Sequence, residues 1–362
     1  MTIDRLGGKD KSPEHFLKLQ ADQWRKLWQP EGYDRLKVQR ALKRIREEAI
    51  ISPMPTIATS ELKASIDTYK KDSKGIDCWT ATELKALPMI AIEQFTAVFN
   101  LGLEIVAVPH QHLLSLHPCL GKPINGVRTI CKTPMLYRMQ SRATFHAVIK
   151  WELDTLQSFD SASRGSSALL AALHRSLLSE VAEYSGEETV AAFNDYDKFF
   201  DNVDIEILVE KLIENKYPLA EAAISLQQHM APRVIQCQGF SSLPINIARS
   251  IIAGDNHSVA FTRNYLMKDM ILLEEQNPKV DTGLFVDDTG MQGRNKSKTL
   301  LKDNMYKCLK EFLEMTKRLN LKLSPKASLI ASTKKVAVQL QEALAKLGMK
   351  FQVLSSTRDL GI

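Results

Sequence analysis

Gly283-Leu284-Phe285-Val286-Asp287-Asp288-Thr289-Gly290-Met291 sets two adjacent carboxylates inside an apolar run. Neighbouring aspartates are poor strand formers. Side by side on a packed sheet they raise one pKa unless a cation neutralises them. In the tight turn of a hairpin, predicted over residues 282–291, they project from a rigid sheet toward one point, which suits a metal. A second acidic stretch stands upstream, Asp195-Tyr196-Asp197-Lys198-Phe199-Phe200-Asp201-Asn202-Val203. There a predicted strand over residues 189–195 ends in an acid. The chain then turns into a helix with Ile205, Leu208, Val209 and Leu212 on one face and Asn202 or Asp204 as its cap.

Each acidic feature alone has a plainer reading. Asp-Asp at a hairpin tip is more often a solvated turn, and Asp195 is equally a polar strand end or helix cap. Together they ask for more. If the two strands are neighbours, cross-strand Cβ atoms lie ~5 Å apart. Mg²⁺ prefers carboxylate oxygens and retained water. Two such ions roughly 3.5–4 Å apart activate an attacking hydroxyl and stabilise a leaving oxygen in an in-line displacement. The chemistry needs acids from two separate strands, and the sequence supplies them.

Outward from this centre, residues 12–48 read as helical, with Trp24, Leu27 and Trp28 at helical spacing. Pro53 and Pro55 make residues 51–57 a linker. Helical regions follow at 60–70 and 82–100, the second with a break at Pro88 and an expected buried stripe of Leu84, Leu87, Ile90 and Phe95. Residues 106–134 alternate apolar stretches with turn formers and read as a small antiparallel unit, turning at Asn125-Gly126 and carrying Lys122, Arg128 and Lys132. A loop at 158–167 precedes a helix over 166–184. Further strands are expected at 233–243, 323–331 and 351–354, with helices at 258–270 and 300–319.

Length and composition bound these expectations. A chain of 362 residues fits two lobes in one unit, and 44% hydrophobic with 25% charged residues is ordinary for a globular protein. The net charge is +6, and Arg25, Lys26, Arg35, Lys37, Arg40, Lys43, Arg44 and Arg46 cluster in residues 24–46. Such a stretch suits a phosphate backbone, or equally a solvated helix face. The five cysteines are scattered and contain no C-x-x-C pair, which argues for reduced thiols, no disulfide partner and an intracellular protein. No secretory leader and no apolar run of ~18 residues is present, so no membrane partner is expected. His110, His112, His117 and Cys119 fit no zinc spacing. His146 and His257 read as structural or exposed, and Trp24, Trp28, Trp79 and Trp151 as core.

The stretch from Asp195 to Val203 resembles motif A of reverse transcriptases of the group II intron and non-long-terminal-repeat retrotransposon type. Phe285-Val286-Asp287-Asp288 resembles their motif C, the aromatic-x-Asp-Asp signature. Asp195 and Asp287 stand 92 residues apart, similar to the retrotransposon enzymes. Ser250-Ile-Ile-Ala-Gly-Asp-Asn-His-Ser258 resembles a weakened motif B, with Ala253 in place of the usual Gln and Asp255 where phosphates should pass. Lys74-Gly75-Ile76-Asp77 with Glu83-Leu84-Lys85 is similar to the lead-in to the fingers. Gly121-Lys122-Pro123 through Arg128-Thr129-Ile130 and Leu136-Tyr137-Arg138 is similar to the basic fingers hairpin. Residues 321–328 resemble motif D, with Lys326 or Ala327 at the Lys position, and residues 359–362 the start of motif E.

The resemblance implies an α+β right-hand polymerase palm, an antiparallel sheet packed on helices, with a fingers lobe; the thumb that the family carries is expected to be absent. The domains would be a basic helical region at 1–70, fingers at 71–185 and palm at 186–362. It implies RNA-directed DNA polymerase activity, adding deoxynucleotides to a primer 3′-hydroxyl with two Mg²⁺ ions, Mn²⁺ serving as a substitute. Asp195 and Asp287 would bind both metals and Asp288 support them. Nucleotide contacts would come from Arg128, Phe200 against the sugar, Gly254, Ser258 and Lys326. Partners would be an RNA template, a DNA primer and deoxynucleoside triphosphates, and a retroelement origin would imply the nucleus. The alternatives are an inactive reverse-transcriptase-like protein that binds nucleic acid, and another palm-fold nucleotidyltransferase such as a cyclase.

Overall fold

Pro30 and Gly32, the latter at φ +76°, interrupt the helical pattern of the first fifty residues and split it in two. The computed structural model describes residues 12–121 and 126–355, and these form a mixed α+β fold with two small mixed sheets. Asn125, the basic Lys122 and residues 359–362 lie outside the described residues. The chain divides into two units, Met1–Trp151 with Phe200–Phe261 and Glu152–Phe199 with Thr262–Ile362. The expected boundaries at 70/71 and 185/186 do not coincide with this interleaved division. Nine strands occur among the described residues: β1 Ser115–Gly121, β2 Val127–Thr129, β3 Glu188–Asn194, β4 Arg233–Cys237, β5 Phe240–Ser241, β6 Val280–Phe285, β7 Asp288–Asn295, β8 Ser328–Ala331 and β9 Gln352–Val353.

The first unit is mainly helical. Ser12 caps helix Pro13–Trp28 and Asp34 caps helix Arg35–Ile51, each through its side chain. The second helix buries Val38, Ala41, Ile45 and Ala49, three or four residues apart, against helices Ile205–Glu214 and Leu219–His229. Its opposite face leaves Arg35, Lys37, Arg40, Lys43, Arg44 and Arg46 exposed. Trp28 is fully buried, with Trp24 5.1 Å away and the Arg233 guanidinium 4.6 Å from its ring centroid. Its indole N–H donates to Asp201 Oδ1 at 2.8 Å. This unit's sheet runs β2-β1-β4-β5, with β1 and β4 parallel and the outer pairs antiparallel. The antiparallel unit expected at 106–134 is thus joined by a parallel partner from a distant part of the chain.

Helix Met89–Glu104 follows the break at Pro88, but its inner face is Ile92, Thr96, Phe99 and Leu103. Ile90, expected in the buried stripe, is 61% exposed. The helical phase restarts at Pro88, so the stripe does not carry across it. Gly75 lies so close to Thr133 and Pro134 that a Cβ there would run into the Thr133 carbonyl. That approach lets Asp77 Oδ2 accept from the Leu136 N–H at 3.0 Å, holding the start of helix Met135–Thr144.

The second unit is built on a sheet ordered β6-β7-β3-β8-β9. Its first four strands pair antiparallel and β9 joins β8 in parallel, so the sheet is mixed where an antiparallel one was expected. Along β3, Val190, Ala192 and Asn194 point to the buried side. Helix Lys298–Arg318 packs on that side, where Met305 fills the space a Cβ at Gly293 would need. Its Leu309, Phe312 and Met315 are buried, each contributing about 1.5–3 kcal/mol. Helix Ala168–Tyr184 lies on the opposite side: Arg175 fills the space over Gly283 and Gly290, and Gln292 Nε2 donates to Ser179 Oγ at 2.8 Å.

Candidate functional site

The hairpin of β6 and β7 pairs Phe285 with Asp288, leaving Val286 and Asp287 as a two-residue turn. Such turns favour glycine or asparagine where φ is positive. Here that place belongs to Val286, at φ +58°. A β-branched residue in the left-handed region costs about 1–3 kcal/mol, and strain of this kind concentrates at functional sites. Neighbouring β3 runs antiparallel to β7, pairing Phe193 with Gly290 and Asn194 with Thr289. One step further along this register, Asp195 comes opposite Asp288. The alternation that turns Asn194 inward carries Asp195 to the other face, with Phe193.

The three predicted aspartates therefore lie at one end of one sheet, inside the second unit. Asp195 and Asp287 are half-buried and Asp288 is exposed. Burial first, then the charges of Asp288 and Asp195, push the Asp287 pKa up to about 6, against the pull of its own amide N–H. The part of that shift beyond burial comes from the neighbouring like charges.

Beneath the turn, burial raises the Tyr196 phenol, which also interacts with Thr289 and Asp287. Backbone bonds hold the Asp195 segment from its other edge: Ser324 N–H donates to the Asp195 carbonyl at 2.7 Å, and Asp197 N–H to the Lys322 carbonyl at 2.9 Å. Residues 159–161 extend the sheet beside β6, with Leu284 N–H bonded to the Phe159 carbonyl at 2.8 Å. The buried Arg263–Asp160 ion pair, with Glu152 at 2.8 Å from Arg263, fixes that segment.

As metal ligands, the donors are all hard oxygens on a rigid hairpin, which fits Mg²⁺ or Mn²⁺ in kind. In spacing they fall short. Among the described residues, no three His, Cys, Asp or Glu side chains are already set around one point as a metal cage. A cation here would have to draw the carboxylates inward.

The predicted nucleotide contacts have different surroundings. Arg128 is exposed on β2 in the first unit, and Lys326 is exposed in the second. Phe200 is half-buried in the first unit, its carbonyl accepting from Ile251 N–H at 2.8 Å. Gly254 is exposed at φ +85°, a conformation that requires glycine in this turn. Ser258 is buried and donates to the Ile252 carbonyl. Asp255 does not face a phosphate path: its carboxylate is 3% exposed and lies 3.2 Å from His229 Nε2. Tyr137 donates to it, as does the His257 N–H.

Around Asp255 the first unit buries a cluster of paired acids and histidines. Glu221 lies 3.4 Å from His257 Nε2, and the Tyr217 hydroxyl 2.9 Å from His257 Nδ1. Burial pushes the Glu221 carboxyl up to about 8 and the His257 imidazole down to about 4, so near neutral pH both are uncharged. Burial raises Asp255 too, but hydrogen bonds and histidine charges outweigh it and hold the carboxyl below its usual range. His112 and His117 are separately buried, His117 against Trp28 at 5.3 Å.

Arg175 is a site neighbour that sequence reading missed. The signal was available, since Gly283 and Gly290 are cross-strand partners and paired glycines mark a close approach. No family model and no curated protein matches this chain. All five cysteines are free, and no described helix is long and apolar enough to cross a membrane.

Proposed function

We propose that the chain is an RNA-directed DNA polymerase of the reverse-transcriptase type, with the second unit as palm and Asp195, Asp287 and Asp288 as its metal-binding centre. The observation that carries this reading is the register of β3 against β7, which brings Asp195 beside a strained turn holding the other two acids. Divalent ions bound there would activate a primer hydroxyl and stabilise the departing pyrophosphate. The protein's own part is positional: the hairpin fixes two acids, and the bonds to Ser324 and Lys322 fix the third. Within the second unit, exposed Lys326 would serve the triphosphate of the incoming deoxynucleotide. The exposed basic face of helix Arg35–Ile51 would meet template or primer phosphates.

One observation favours a second reading. Helix Ala168–Tyr184 covers the sheet face that carries Phe193, placing Arg175 over Gly290, two residues from Asp288. A chain in which that helix stays in place would bind nucleic acid through its basic face without extending a primer. Primer extension with Mg²⁺ or Mn²⁺ on RNA and DNA templates separates the two. Incorporation that disappears in Asp287→Asn supports the polymerase. Retained binding with no incorporation on any template supports the second reading, and incorporation unchanged by Asp287→Asn removes the assigned centre.

A further inference from the structure

Residues 321–325 have two sides: one edge bonds to the Asp195 segment, and the other walls a cavity. The cavity, about 400 Å³ and open to solvent, lies in the second unit between the end of helix Lys298–Arg318, this segment and residues 348–351. Its base is apolar, formed by Leu313, Leu321, Met349 and Phe351, the last three buried. Lys317, Lys322 and Lys350 stand around it, and no described aspartate or glutamate lines it. Lys317 has Glu314 at 2.8 Å. Lys322 and Lys350 form no ion pair among the described residues.

An apolar base beneath unmatched cations is the composition of a small-molecule site. Fixed positive charges around a concave, low-dielectric wall concentrate anions there. We propose that this cavity binds a small organic anion, its acid head between Lys322 and Lys350 and its apolar or aromatic body on Met349 and Phe351. A lysine ammonium holds such a head as a point charge, so carboxylate, sulfonate and phosphate share the same chemistry. Occupancy would also clamp the segment whose Ser324 N–H and Lys322 carbonyl hold Asp195 and Asp197. The site does not depend on the polymerase reading.

The test is titration of the full chain with 8-anilino-1-naphthalenesulfonate, followed by calorimetry and fluorescence. The expected result is one saturable site per chain, weakened at least tenfold in Lys322→Glu/Lys350→Glu and less in Lys322→Ala/Lys350→Ala, with unchanged melting temperatures. Exposed Lys334 and Lys335 serve as control, Lys334→Glu/Lys335→Glu retaining binding. Saturation should slow amide exchange at Ser324 and Asp197. Displacement by adenosine monophosphate assigns a nucleotide body, and displacement by octanoate an acyl body. Absence of saturable binding, binding that survives the double reversal, equal loss in the control, or displacement by neither competitor overturns the proposal.

Discussion

The two units hold acids in opposite ways. In the first, Asp255 and Glu221 are buried and each is matched by a histidine, His229 and His257. In the second, Asp195, Asp287 and Asp288 lie together at a strained turn, and burial first, then the neighbouring charges, push the Asp287 carboxyl up to about 6. A buried acid with a partner within hydrogen-bonding range is explained by the fold. Like charges gathered at the end of a rigid sheet are not explained by packing alone, and perturbed carboxyls of this kind cluster at functional sites.

The contrast is sharpest in Asp287→Asn against Asp255→Ala. The first should lower nucleotide incorporation by roughly three orders of magnitude, as loss of a charge-stabilising group does. Its folding should not suffer. A carboxyl whose folded pKa lies above its unfolded value stabilises fully below about pH 4, and that contribution fades as pH rises through about 6. At pH 7.5 the Asn variant should therefore unfold at equal or higher urea concentration. A fall of several degrees in its melting temperature would break the comparison.

Asp255→Ala should do the reverse, destabilising by about 3–5 kcal/mol in urea unfolding because it strands buried His229, Tyr137 and the His257 amide. A variant within 1 kcal/mol of the parent would mean that the cluster is not structural.

Val286→Gly should stabilise the metal-free chain by about 1 kcal/mol through relief of the positive φ, partly offset by glycine's greater unfolded-state freedom. Loss of stability there would show that the turn is unstrained.

Smaller effects separate the acids by pH. Mg²⁺ should raise the melting temperature more at pH 7.5 than at pH 5, where a proton on Asp287 competes with it. In the other cluster, the Glu221 carboxyl stays protonated in the folded chain up to about pH 8. Its contribution is complete below about pH 4.5 and declines toward pH 8. Glu221→Gln should flatten stability across that window, and a profile parallel to the parent's would refute the burial of an uncharged acid.

Much of this arrangement was legible in the chain. Asp-Asp inside an apolar run marked the hairpin, and the helix phase after Asp204 marked the end of the preceding strand. What escaped was long-range. Ile90 resumed its phase after Pro88, β1 found β4 more than a hundred residues away, and Asp255 turned inward because His229 was waiting for it. No local pattern encodes which distant side chain will neutralise an acid. The sequence placed Asp255 where phosphates should pass, and tertiary packing against His229 overrode that reading.

Trp28 sets a limit on how short this protein can be made. Its indole N–H holds Asp201, and its ring covers the buried Arg233 cation, which also donates to Ser250 and the His229 carbonyl. A version starting after Pro30 would wet a guanidinium from which the loop before Gly254 hangs. The first helix behaves as a cork in the fold, and trimming it should loosen residues two hundred positions downstream before it affects anything nearby.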